Sequence, residues 1–202
     1  MILRVVNGVI PPGELNRVVD TYRRDYVPIA AATSGLDRYV IAGRTSDDGS
    51  VAFAAMTLWA SIDAALAAYD GNLTAIRTID GRTHGETLTS VDYYEVDAEG
   101  ARRRDGTPTL LRLTAGTVAR GLDSAIQQEL RERLPDLPDD VLEAFVGRRV
   151  QNRSVEIALV TTWSDVPAGR DLGEPIWPAI SNRYDSFRID LHDVLLDGTG
   201  AG

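Results

Sequence analysis

Apolar residues in this chain fall into two alternating rhythms. Ile2-Leu3-Arg4-Val5-Val6 opens with a β-prone run, and Tyr39 to Arg44, Val51 to Trp59 and Val91 to Val96 continue in the same vein. Between them Leu15, Val18, Val19, Tyr22 and Tyr26 recur at spacings of three and four, so Glu14 to Val27 reads as an amphipathic helix entered from Pro11-Pro12-Gly13. A second helix is expected from Ser61 to Tyr69, ending at Asp70-Gly71. The first hundred residues thus read strand, helix, strand, strand, helix, strand.

The same order returns. Leu110 to Gly116 matches Ile2 to Gly8, and Glu143 to Arg148 matches Tyr39 to Arg44. Val155 to Trp163 matches Val51 to Trp59, and Ile189 to Val194 matches Val91 to Val96. Leu122, Ile126, Leu130 and Leu134 give the helix after the first of these strands, stopped by Pro135 and Pro138. After Trp163 the second helix is degraded into a loop with Pro167, Gly169, Gly173 and Pro175, leaving a short helix around 176–183. Four matches in register order indicate a tandem repeat. The fold class expected is α+β, two ferredoxin-like βαββαβ repeats over 1–98 and 109–197, with a linker at 99–108 and a flexible tail at 198–202. Each unit should form an antiparallel sheet ordered 4-1-3-2 with both helices on one face. The strands are apolar on both faces (Leu3 and Val5 against Ile2 and Val6), so the face away from the helices needs cover, and packing the two sheets together supplies it.

Composition narrows the chemistry. The chain has no cysteine and no lysine, which removes thiolate nucleophiles, cysteine-ligated metals, Schiff bases and the phosphate-loop lysine. With two histidines, His84 and His192, it cannot build a three-histidine zinc site, and no metal is expected. A net charge of −9 without a basic face disfavours nucleic acid, and Arg102-Arg103-Arg104 reads as a solvated linker. No run is apolar for long enough to cross a membrane as a helix. A soluble, cytoplasmic protein with a small apolar or aromatic partner is the expectation, with a homodimer of the fused unit also open.

Several residues stand out. Arg4 and Arg112 sit mid-strand opposite Asp92 and Asp190, and are expected to form structural pairs repeated in both halves. Trp59 and Trp163 end matching strands, where each closes a core or stacks on a planar ligand. His84, in a turn-rich stretch with Glu86 nearby, is the candidate base. His192 aligns with Tyr94 and reads as a satisfied histidine on the last strand. Tyr22, Tyr26, Tyr69, Tyr93 and Tyr94 make the first half the more aromatic, so one working cavity is expected there, with the second half as scaffold.

Thr57-Leu58-Trp59 followed by Ala60-Ser61, and Thr162-Trp163-Ser164 in the second half, resemble the dimeric α/β barrel superfamily, most closely its antibiotic biosynthesis monooxygenase branch. The resemblance spans nearly the whole chain and implies a single-chain version of the dimeric barrel. It also implies a cofactor-independent monooxygenase acting on a small aromatic or polyketide-like substrate. It points to Asn7 and Trp59, and together with the residues singled out above the candidate site is Asn7, Trp59, Tyr22 and Tyr94 for substrate binding and His84 and Tyr69 for catalysis, with no cofactor. The superfamily also contains non-catalytic ligand-binding or regulatory proteins, the alternative reading, and haem-binding or haem-degrading enzymes, the third. In the last group a histidine stands about ten residues beyond the tryptophan, where this chain has Tyr69.

Overall fold

Strand β1, Ile2–Ile10, pairs antiparallel with β3, Val51–Trp59, in an unbroken register from Ile2↔Trp59 to Ile10↔Val51. Because a strand alternates faces, Ile2, Arg4 and Ile10 project one way, and Leu3, Val5 and Asn7 the other. Ile2 and Ile10 pack with helical residues, so the first set faces the helices. A computed structural model describes residues 1–71, 85–101, 106–119, 121–151, 154–164 and 183–201.

The remaining strands are β2 (Leu36–Thr45), β4 (Thr87–Ala101), β5 (Leu110–Val118), β6 (Val141–Gln151), β7 (Ser154–Trp163) and β8 (Ser186–Gly198). The chain divides into two compact units: 1–93 with 192–202, and 94–191. Within the first the hydrogen-bonded order is β4-β1-β3-β2-β8, and within the second β8-β5-β7-β6-β4. The expected 4-1-3-2 order is therefore present in each half, and each gains a fifth strand from the end of the other half's last strand. Both β4 and β8 accordingly run through the two units. β4 continues past position 98 to Ala101, and the expected tail is tied: Gly198 pairs with Tyr39 and Ala201 bridges to Ser34.

The units agree in detail. The register of β2 on β3 shifts between Leu36 and Arg38, opposite Trp59, and that of β6 on β7 between Val141 and Glu143, opposite Trp163. The pairings of β2 with β8 and of β6 with β4 shift at corresponding places too. One sequence match needs correction. Ala42 lies opposite Ala54 and Gly147 opposite Ala158, so Gly147 corresponds to Ala42, one residue away from the Gly43 that composition pairs with it. A one-residue slip puts side chains on the wrong face, so the register decides.

Helix α1 (Leu15–Thr21) passes through a π-helical turn at Tyr22–Tyr26 into α2 (Val27–Ala32). The sequence places the end at Val27, before Pro28. The helix survives because the Val27 N–H bonds to the Tyr22 carbonyl five residues back, and the wider turn absorbs the proline's missing donor and ring bulk. Helix α3 (Ile62–Ala68) starts with Ser61 Oγ accepting from the Ala64 N–H at 3.0 Å. It ends with Gly71 N–H bonded to the Leu66 carbonyl at 2.7 Å and Asp70 left-handed at φ 52°. Helix α4 (Asp123–Arg133) is regular and gives way to a 3₁₀ turn at Leu134–Asp136. The short helix expected around 176–183 falls almost wholly on 165–182, outside the described residues.

The face away from the helices is buried as its apolar pattern requires: Leu3, Val5, Leu111 and Leu113 are all inaccessible. Among the described residues no helix is long and apolar enough to cross a membrane.

Candidate functional site

On the helix-facing side of the first unit, the register sets Tyr39, Thr57 and Arg4 in one row across β2, β3 and β1. Arg4 is a guanidinium only 4% exposed. Its Nη1 donates to Tyr69 Oη at 3.3 Å, and its Cζ stands 4.2 Å from the Tyr69 ring centroid. Tyr69 reaches this point because the turn at Asp70-Gly71 stops α3 directly behind it. Its ring meets Trp59 edge-on, with centroids 5.6 Å apart, and Trp59 Nε1 donates to Thr57 Oγ1 at 3.0 Å. On the helix above, Tyr26 meets Tyr22 at 5.6 Å and Tyr39 at 5.7 Å. Tyr22 Oη donates to Glu86 Oε1 at 2.8 Å, and both residues are buried.

Burial lowers the Arg4 pKa from its ordinary value, opposed by Tyr69, Tyr26 and Tyr22. Burial likewise raises Tyr22, reinforced by the Glu86 charge and hydrogen bond, so the phenol stays neutral. A guanidinium withdrawn from water among phenols and aromatic faces favours a flat molecule carrying negative charge.

Of the expected site residues, Trp59 and Tyr69 come together at Arg4, and Tyr22 stands in the neighbouring cluster, linked to the Arg4 row through Tyr26 and Tyr39. Asn7 does not join them: it shares its face with Leu3 and Val5, and its Nδ2 donates to Ser90 Oγ at 3.0 Å, which in turn donates to Asp92 Oδ2 at 3.4 Å. Tyr94 also requires correction as a residue of the first half's cavity. It belongs to the second unit, where its Oη donates to Glu156 Oε1 at 2.7 Å. The cause is the length of β4, whose second half pairs with β6. His84 lies outside the described residues. His192 is buried, with Nδ1 3.2 Å from the Ala52 carbonyl oxygen. Arg112 Nε donates to Thr114 Oγ1 at 3.3 Å, and half-exposed Asp190 faces Arg188 at 3.6 Å. Among the described residues no group of three or more His, Asp or Glu is arranged to hold a metal ion.

Sequence reasoning named Glu86 only as a neighbour of His84 and Tyr26 only as one of the helical aromatics, and it missed the hydrogen bond from Tyr22 to Glu86 and the helix-facing placement of Arg4. Parity with Ile2 was the available signal for Arg4. Tyr26 was visible in the helical spacing, but the π turn that sets its position was not.

The second unit shows what the site displaces. Arg112, Thr161 and Trp163 repeat Arg4, Thr57 and Trp59, down to the bond from Trp163 Nε1 to Thr161 Oγ1 at 2.7 Å. Around them, however, Ala144 holds the place of Tyr39, and the helical spacing that carries Tyr22 and Tyr26 in the first half of the sequence carries Leu130 and Leu134 in the second. The helix-facing core there forms one cluster containing Val118, Ile126, Leu130, Leu134 and Trp163. In the first unit it is split into one cluster around Trp59 and another around Phe53.

No protein-family model and no curated protein sequence matches the chain. Solved structures do. A candidate monooxygenase of Fusobacterium nucleatum subsp. nucleatum superposes with a TM-score of 0.69 at 10% identity, covering 98% of this chain and 94% of that one. An anthrone oxidase-like protein gives 0.61 at 13%, covering 100% and 94%. A ferredoxin-fold protein of Listeria monocytogenes related to antibiotic biosynthesis monooxygenases gives 0.53 at 7%, covering 96% and 94%. With the strand order and registers above, these likenesses establish that the chain has the ferredoxin-like α+β fold of the antibiotic biosynthesis monooxygenase-like proteins.

Proposed function

We propose that this protein is a cofactor-independent oxygenase whose site lies between the sheet and the helices of the first unit and takes a small aromatic substrate as its anion. The observation that carries the reading is the buried Arg4 guanidinium over Tyr69 beside Trp59. A guanidinium that meets the hydroxyl and the ring face of one tyrosine suits the planar anion of an aromatic molecule. In the half of its counterpart Arg112 the helical spacing of Tyr22 and Tyr26 carries leucines, which supports one working site and one scaffold. Fold neighbours named as a candidate monooxygenase and an anthrone oxidase-like protein support the same class.

The chemistry asks little else of the protein. An anthrone-type methylene loses a proton, the carbanion reduces dioxygen, and the carbon gains one oxygen atom while the other leaves as water. Arg4 stabilises the negative charge, Tyr69 donates a hydrogen bond, and Trp59 walls the aromatic face. The shared bulges of the two units support their origin as a tandem repeat of one unit.

Aerobic incubation with an anthrone tests this. Saturable oxygen uptake with formation of the quinone is expected, lost in Arg4→Met. Saturable binding without uptake would make the protein a ligand-binding member of the fold, and absence of binding would remove the site.

A further inference from the structure

The Tyr22–Glu86 pair has no part in holding the anion, yet it is built into the same space. Tyr22 comes from the π-helical turn and packs against Phe53 and Tyr26, with centroids 5.6 Å away in both cases. Glu86 comes from the other side, at the head of β4, and is as buried as Arg4 at 4% exposure. It follows Gly85, whose φ of 115° and close contact with the Arg17 guanidinium leave no room for a side chain. The carboxylate is thus brought into the core with its Oε1 accepting the Tyr22 hydroxyl at 2.8 Å. Among the described residues the other titratable groups facing the pair are Arg4, Tyr26, Tyr39 and Tyr69, from β1, the π turn, β2 and the end of α3, with Arg17 of α1 beside Gly85.

We propose that Glu86 is the terminal proton acceptor of this site, working through the Tyr22 hydroxyl. The inference rests on the reading of the site as one for an acidic aromatic. In the step, the substrate's O–H or C–H bond breaks and its proton passes to Tyr22 Oη. Tyr22's own proton moves along the existing hydrogen bond to Glu86 Oε1. The substrate is left as an anion beside Arg4, Tyr22 is regenerated, and Glu86 is neutral. No electron changes hands, and the proton returns by the same path to the reduced oxygen. Tyr22 is then the catalytic residue and Glu86 the group that sets its proton affinity. The second unit, with Leu130 at the helical spacing of Tyr22, has no such relay at that position.

The test uses 4-nitrophenol and the full-length protein, about one pH unit below the phenol's own pKa, where phenol and phenolate are told apart by absorbance. Wild type should bind the probe as phenolate with no net proton release to the buffer. Glu86→Gln should bind it with the phenolate fraction reduced about tenfold, Tyr22→Phe should do the same, and Glu86→Asp should recover much of the signal. If Glu86 acted only as a nearby negative charge, Glu86→Gln would raise the phenolate fraction, and that result overturns the proposal. So does a neutral bound probe in wild type. Should Glu86→Gln fail to fold by circular dichroism, Tyr22→Phe and Glu86→Asp carry the comparison alone. Failure of the wild type to bind any phenol defeats the site reading itself, and the relay with it.

Discussion

Arg4 and Glu156 show two ways of keeping charge inside this chain. Arg4 has its pKa lowered because burial outweighs what phenols return, so its charge costs the fold. Arg4→Met should therefore leave the thermal midpoint unchanged or raise it while ligand binding falls at least tenfold; a large loss of stability would mark Arg4 as structural instead. Glu156 behaves oppositely. Burial acts to raise its carboxyl, but the hydrogen bonds from Tyr94 and from Arg149, the latter at 2.8 Å, and the Arg149 and Arg188 charges leave it below its ordinary 4.5. A carboxylate depressed in the folded state stabilises fully above its unfolded pKa and loses that contribution as pH falls through the folded value. Denaturant melts should show wild type losing stability below about pH 4.5, with Glu156→Gln less stable by about 1.5–3 kcal/mol near neutrality and flatter towards acid. These roles were partly legible. Tyr69, Trp59 and Tyr22 were visible as aromatics at telling positions, but Arg4 read as half of a pair because sequence spacing shows opposition across strands and not which face meets a helix.

At the scale of elements, boundaries were legible wherever one signal dominated. The strands ending in Trp59 and Trp163 end where the sequence puts them, and α3 is capped by Ser61 as expected. Two features were not legible, because each depends on tertiary support. Pro28 looks like a stop, yet the π turn carries the helix past it. The lengths of β4 and β8 depend on partners contributed by the other half's strands. The π turn makes a prediction. Deleting exposed Arg24 removes the extra residue, so Pro28 loses the wide turn that accommodates it and the helix should end before it, displacing Tyr26 from Tyr22 and Tyr39. The deleted protein should lose helical content and 4-nitrophenol binding; retained binding would separate the turn from the site. Asp70 supplies a second check. Left-handed geometry costs a non-glycine residue roughly 1–2 kcal/mol, part of which Asp recovers locally, so Asp70→Gly should raise unfolding free energy by about 0.5 kcal/mol.

For the whole molecule, the strand orders within the two units imply that neither sequence half is a finished sheet. In the first unit the outer edge of β2 is covered by residues 193–198 of β8, with Tyr39 opposite Gly198 and Gly43 opposite Asp193. A fragment ending at 101 loses that cover and exposes a row of unpaired backbone groups. It also carries its own substitute. Residues 95–101 pair with β6 in the full chain through the same register and the same bulge with which 193–198 pair with β2. Two copies of the fragment can therefore complete each other, the end of β4 from one lying along β2 of its partner. Fragment 1–101 should sediment as a dimer, and Val96→Pro, which removes a ladder donor from the exchanged segment, should weaken it by at least tenfold. The full-length chain, with both edges covered from within, should not respond to fragment 1–101 in the same assay. A folded monomeric fragment would show that β2 tolerates an open edge, and the shared strands would then be a convenience of the fold rather than its closing condition.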